Sequence, residues 1–166
     1  MSEYKAEIDK FLSAENVAVV GVSETNEGSP ANAIFDKLTH AGYNVFPVNR
    51  KLETYQGNKC YQSLADIDSE VESVMVVTKP ETTEKVVDEC LSNGVKHIWM
   101  HNMLGTQTRL GKKMAAKSTS VSKSAVERAQ EKGVSVIPGS CPMQHVEPVD
   151  KWHKCIFWFN DKFGNH

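Results

Sequence analysis

The residues best suited to chemistry lie in one turn, G-V-S-E-T-N-E-G-S-P-A-N-A, running from Gly21 to Ala33. Small side chains at Gly21, Ser23 and Gly28 let a backbone approach an anion closely. Ser29 and Pro30 mark the start of a helix reaching to Ala41, and its free N–H groups and positive dipole end favour negative charge. The pattern predicts a phosphate cradle at Gly21, Ser23, Gly28, Ser29 and Pro30. A turn that simply needs small residues is the alternative.

A second cluster narrows the ligand. A dinucleotide fingerprint, G-x-G-x-x-G, would need glycine where Ser23 and Asn26 stand, which weakens NAD. An NAD site also places an acid on the ribose at the end of the second strand. Here that position reads F-P-V-N-R-K, so Pro47 and Val48 lead into Asn49, Arg50 and Lys51. A basic rim suits an adenosine carrying an extra phosphate, as in NADP or coenzyme A. The two bases could equally belong to an ordinary solvated loop.

Other reactive side chains form no recognisable constellation. Asp36, Asp66 and Asp68 have no partner at telling spacing, and neither a nucleophile elbow nor a Walker loop is present. Cys141, in P-G-S-C-P-M, follows the fifth strand and is either a reactive thiol at the sheet end or a small buried hydrophobe; only His145 stands near enough in sequence to lower its pKa. Cys141, His145, His153 and Cys155 are zinc-ligand types, but their spacing matches no ribbon or finger and the last two point to different helix faces. No metal is expected. His97, His101 and His166 are lone histidines, of which His101, directly after the fourth strand, could touch a ligand.

Positioning these residues requires a parallel sheet. Tyr4, Ile8, Phe11 and Leu12 line one face of an opening helix. Continuous apolar runs then recur at Val17–Val22, Tyr43–Val48, Val74–Thr78, Lys96–Met100 and Val134–Ile137, as strands covered on both faces require. Helical periodicity fills the gaps, through Ala33, Ile34, Leu38 and Ala41, then Val86, Val87, Cys90 and Leu91, then Ala125 and Ala129. Three helices end at glycine just before a strand, in AGYNVF, NGVKHI and KGVSVI, the mark of successive βαβ units. The expected fold is α/β: a Rossmann-like, doubly wound, five-stranded parallel sheet in three layers, ordered 3-2-1-4-5, with its crevice at the carboxyl end of the first strand.

Two stretches stand outside that pattern. Gly105 to Lys123 is rich in Lys, Ser and Thr and reads either as a mobile loop over the crevice or as a frayed helix start. The tail after about residue 148 crowds Trp152, Ile156, Phe157, Phe159 and Phe163 into a helix too apolar to be left in water; it packs on its own sheet or on a second copy, with a homodimer the favoured version.

Bulk properties set the outer bounds. At 166 residues the chain reads as one domain that can bury roughly 70% of its unfolded surface without staples. A net charge of -2 with interleaved signs points to neither nucleic acid nor a membrane surface. Four cysteines with no C-x-x-C pair suit a reducing compartment, and no apolar window approaches a membrane span or signal peptide, so a cytoplasmic protein is expected.

The succession VAVVGVS, SPANAIFDKLTHAGYNVFPVNRK, YQGNKCYQSLADI, T-K-P after the third strand, GVKHIWMHNMLG and GVSVIPGSCPM resembles the CoA-binding domain family, the stand-alone proteins similar to the amino-terminal domain of succinyl-CoA synthetase alpha subunits. The resemblance implies CoA lying across the strand ends. Its phosphates would lie near Gly21, Val22, Ser23 and the Asn32 helix start, and its adenine end near Pro47, Val48, Asn49 and Arg50. Thr78, Lys79 and Pro80 would flank the pantetheine, with Gly105 in the loop beyond the fourth strand. A thiol at Cys141 could then meet the CoA sulfur as a mixed disulfide. The chain departs from the family near Thr78, where many members have arginine, near His101, where many have glutamine, and in its long basic insert. No phosphohistidine domain follows, so the chain alone is not expected to ligate CoA to an acid. The expectation is non-catalytic binding of CoA or an acyl-CoA, as a sensor or carrier; the alternatives are an NADP-dependent oxidoreductase, one subunit of an acyl-CoA ligase, and a structural dimer whose pocket is vestigial.

Overall fold

The computed structural model describes residues 3–102 and 119–162. Helix α1 (Glu3–Leu12) leads into β1 (Asn16–Val20), α2 (Pro30–His40) and β2 (Asn44–Val48). A hairpin of β3 (Thr54–Tyr55) and β4 (Asn58–Lys59) follows, then β5 (Ser73–Val76), α3 (Pro80–Ser92) and β6 (His97–Met100). The described chain ends with α4 (Lys123–Glu131), β7 (Ser135–Pro138) and α5 (Lys151–Lys162). Each expected strand is present within one or two residues. Gly42, Gly94 and Gly133 all take positive φ (93°, 72° and 77°) after their helices, as the glycine-before-strand repeat required.

The main sheet is wholly parallel and its side chains alternate between two cores. Val17, Val19, Met75, Trp99 and Ile137 meet Ile8, Phe11, Ile34 and Leu38 from α1 and α2. Ala18, Val20, Val74, Val76, Ile98 and Val136 meet Val86, Val87, Ala125 and Ala129 from α3 and α4. This is the three-layer α/β/α arrangement. Trp99 anchors the first core: its ring meets Phe11 edge-on at 5.2 Å and its Nε1 donates to the Gly139 carbonyl at 2.8 Å.

The strand order differs from the expectation. It runs β2-β1-β5-β6-β7, which for the five sheet strands is 2-1-3-4-5 rather than 3-2-1-4-5. The reason lies between residues 49 and 72, where the chain holds a short hairpin and a single 3-10 turn at Leu64–Asp66 in place of a long crossover helix. Tyr61 docks on the outer edge of β2: Tyr61 N donates to Pro47 O and Asn49 N donates to Tyr61 O, both at 2.9 Å. With that edge covered, the next strand pairs with β1 in register from Val17↔Ser73 to Val20↔Val76. The order now reverses between β1 and β5, so the crevice stays at the carboxyl end of β1.

Helix α5 forms as expected, and it leaves Trp152 and Trp158 exposed at 68% and 58%. Among the described residues no helix is long and apolar enough to cross a membrane. Gly105 and most of the basic insert lie outside the described residues.

Candidate functional site

Three strand ends build the cleft. At the first, Gly21 turns the chain with φ +112°, its N–H held by Val48 O at 3.0 Å. The loop that follows is braced by Asn32, which is nine-tenths buried. Its Oδ1 accepts from Ser23 N at 2.9 Å, and its Nδ2 donates to Ser23 O at 2.7 Å and to Asn26 O at 3.2 Å. The turn is therefore prefolded by a side chain from α2 itself. Asn32→Ala removes three hydrogen bonds around partly buried backbone and should cost about 2 kcal/mol in urea unfolding; a loss below a few tenths would show that the loop holds its shape unaided.

Two helices open on this cleft without side-chain caps. Helix α2 has Ser29 at its N-cap, Pro30 at the first position and no acid in its first turn. Helix α3 has Lys79 at its N-cap, Pro80 next, and Glu81 in the first turn. By contrast Ser122 caps α4, accepting from Ala125 N. Pro30 and Pro80 carry no N–H, and Asn32 N and Ala33 N donate to Ser29 O as Thr82 N and Thr83 N do to Lys79 O, so what the two starts offer an anion is chiefly the positive end of the helix dipole. Both line one cavity of about 570 Å³, whose walls are Asn26, Ser29 and Pro30, the segment Val77 to Glu81, and His101, Thr119 and Ser120.

His101 closes the inner wall. It is only 2% exposed, and its Nε2 is buried with no hydrogen-bond partner. Burial lowers its pKa to about 4, so the imidazole is neutral at pH 7. Backbone bonds fix its position, from His101 N to Val76 O and from Ser120 N to His101 O, at 3.0 and 2.9 Å.

Of the residues expected at the site, Ser29, Thr78, Lys79 and Pro80 line this cavity. Gly21, Ser23 and Asn32 shape the loop beside it, while the Val22 side chain is fully buried in the core and has only backbone to offer. The Thr78 hydroxyl is engaged with Thr83 Oγ1 at 2.9 Å. Asn26, Pro30, Val77, Glu81, Thr119 and Ser120 were not among the expected site residues, and His101 was noted only as able to touch a ligand. For His101 the signal was present, because it stands directly after a strand; Thr119 and Ser120 arrive from a distant segment that no local pattern places.

A CoA binding domain family model matches residues 15–147. The chain belongs to that family. It is 33% identical over 88 residues to the ADP-forming acetate–CoA ligase of Methanocaldococcus jannaschii, a match covering 52% of this chain and 12% of the ligase. It is 28% identical over 138 residues to the uncharacterized protein YneT of Bacillus subtilis, covering 82% and 90% of the two chains. A hypothetical protein from Pyrococcus horikoshii superposes with a TM-score of 0.73 at 26% identity, covering 89% of this chain and 92% of that one. The chain thus spans a small part of the ligase it matches and nearly the whole of the other two proteins.

Within a CoA-binding domain the second-strand rim is the next element along the sheet from β1. Val48 is buried in β2 with its carbonyl taken by Gly21 N, and Pro47, in register with Val19, has no N–H and gives its carbonyl to Tyr61 N, so these two shape the rim more than they present polar groups to a ligand. Asn49 ties the rim to the first turn, donating to Val22 O at 2.6 Å and accepting from Lys51 N at 2.8 Å. Arg50 reaches Glu89 on α3 at 3.0 Å, so its charge is partly answered within the protein, and neither Arg50 nor Lys51 lines the cavity at β1, β5 and β6. Beyond β7, burial pushes the Cys141 thiol up to about 11, which keeps it protonated at neutral pH and works against nucleophilic reactivity.

Proposed function

We propose that this chain binds coenzyme A or an acyl-CoA across the carboxyl ends of β2, β1, β5 and β6, as a non-catalytic sensor or carrier. The observation that carries the reading is the convergence of two uncapped helix N-termini on one cleft in a chain of the CoA-binding family. The start of α2, free of any acid in its first turn, suits the diphosphate. The rim at Pro47, Val48, Asn49, Arg50 and Lys51 suits the adenosine with its extra phosphate, and Thr78, Lys79 and Pro80 suit the pantetheine side. Neutral His101 and protonated Cys141 supply no activated group, in keeping with binding rather than catalysis. Family membership gives the NADP oxidoreductase reading no support.

Thermal unfolding with CoA, NAD, NADP and ATP tests the reading. A ligand at about a hundred times its dissociation constant adds roughly 2.7 kcal/mol, a rise of about 5 to 10 °C for a domain of this size. The expected result is a rise with CoA that NAD and NADP do not match; a flat response to CoA would sink the proposal. A second reading, as one subunit of an acyl-CoA ligase, rests on the likeness to acetate–CoA ligase. Release of free thiol from acetyl-CoA, ADP and phosphate that appears only when a second ligase chain is added to this one would move the interpretation there.

A further inference from the structure

The cleft runs across three neighbouring strand ends, from the α2 start after β1, past Thr78 and Pro80 after β5, to His101 after β6. It does not continue to β7. Asn102 closes that side, its N–H bonded to Ser140 O at 3.0 Å and its Nδ2 to Thr119 Oγ1 at 3.4 Å. Among the described residues, none from β7 or the turn after it lines the cavity. If the diphosphate sits at α2, as the reading above has it, the far end of the pantetheine arm comes to rest at the β6 wall.

The chemistry of that wall is uncharged. The two helix starts differ: α2 has no acid in its first turn, whereas α3 carries Glu81 in its first turn and Lys79 at its N-cap, both exposed residues that line the same cleft. Those two charges offset one another, and the neutral His101 ring adds no cation for an anionic terminal group. A neutral imidazole offers one N–H to donate and one bare nitrogen to accept. Nε2 of His101 makes no bond within the protein, although the ring is almost wholly buried. Leaving a buried polar group unsatisfied is costly, so its retention needs a reason outside the packing.

We propose that the site prefers a short acyl thioester of CoA to free CoA, and that His101 donates its N–H to the thioester carbonyl oxygen. This rests on the CoA reading and adds to it the chemical form of the ligand. A thiol is a weak acceptor for that N–H, whereas a carbonyl oxygen is a good one, and no charge is needed on either side.

The test is calorimetric titration with three ligands: CoA, acetyl-CoA and S-ethyl-CoA, the last matching acetyl-CoA in size but lacking the carbonyl. In the wild-type protein acetyl-CoA should bind about fivefold tighter than S-ethyl-CoA, the ratio that one neutral hydrogen bond supplies. His101→Phe should bring the ratio close to one, and His101→Gln, which keeps an N–H donor, should preserve most of it. The imidazole nitrogen shifts of His101, followed by NMR in the unsubstituted protein, make the same comparison should the Phe variant fail to fold: they should move with acetyl-CoA and not with S-ethyl-CoA. Equal affinity for the two ligands in the wild type, or a ratio that survives His101→Phe, overturns this proposal alone. If none of the three binds, the CoA reading falls and takes this inference with it.

Discussion

Gly21→Ala should cost at least about 4 kcal/mol of folding stability, placing it among the rare severe single substitutions. Gly21 has φ +112°, a region that costs a non-glycine residue on the order of 1–3 kcal/mol by itself. Space makes it worse. A Cβ built there falls 2.2 Å from the Val77 carbonyl oxygen and 3.0 Å from its carbon. Both are backbone atoms of a residue pinned to the sheet, since Val77 N donates to Val20 O at 2.9 Å. Relief therefore requires the ends of β1 and β5 to part, and those ends frame the cleft. Urea unfolding measures the loss, and the CoA-dependent rise in midpoint should vanish with it. Gly28→Ala is the control: its nearest atom outside the adjoining residues is Asn26 Oδ1 at 3.8 Å, so a change within about 0.5 kcal/mol is expected. Equal effects at the two glycines would refute the close-approach argument.

That contrast marks what local sequence signals carry. Gly21 and Gly28 look alike in the turn, and the sequence reading treated both as small residues suited to a phosphate. The positive φ at Gly21 and the pairing of β1 with β5 distinguish them, and that pairing depends on where residues 49 to 72 go. The five strands were legible because each is a continuous apolar run, and their helices because apolar residues recur on one face and end at glycine. The order of the strands was not legible, because Tyr61 covers the β2 edge through backbone hydrogen bonds that leave no trace in side-chain pattern. The site divides in the same way. Ser29 was readable because a helix start has a local signature, whereas Thr78, Lys79 and Pro80 came from the family resemblance. Thr119 and Ser120 reach the cleft from well beyond β6 in the chain, and the ion pair between Arg50 and Glu89 spans 39 positions; both are products of topology.

His101 yields a prediction of comparable size through pH. In the unfolded chain its imidazole takes up a proton near pH 6.5, while in the folded protein burial holds it off until about 4. Between those values the unfolded state binds more protons, so stability is complete above about pH 6.5 and falls as pH drops toward 4. The full difference amounts to about 3 kcal/mol. His97 is shifted in the same direction, by burial opposed by Glu7 and Glu72, so the wild-type slope alone does not isolate His101. The difference between wild type and His101→Gln does. Glu7, Glu72, Glu84 and Asp150 also have lowered pKa values, and their stabilisation is lost only as carboxylates protonate below about pH 4.5, which leaves about pH 4.5 to 6.5 as the clean window. Urea unfolding across that window should show a steeper fall for wild type than for His101→Gln. Parallel slopes would mean that the ring charges freely in the folded state, and the neutral wall on which the acyl preference depends would be gone.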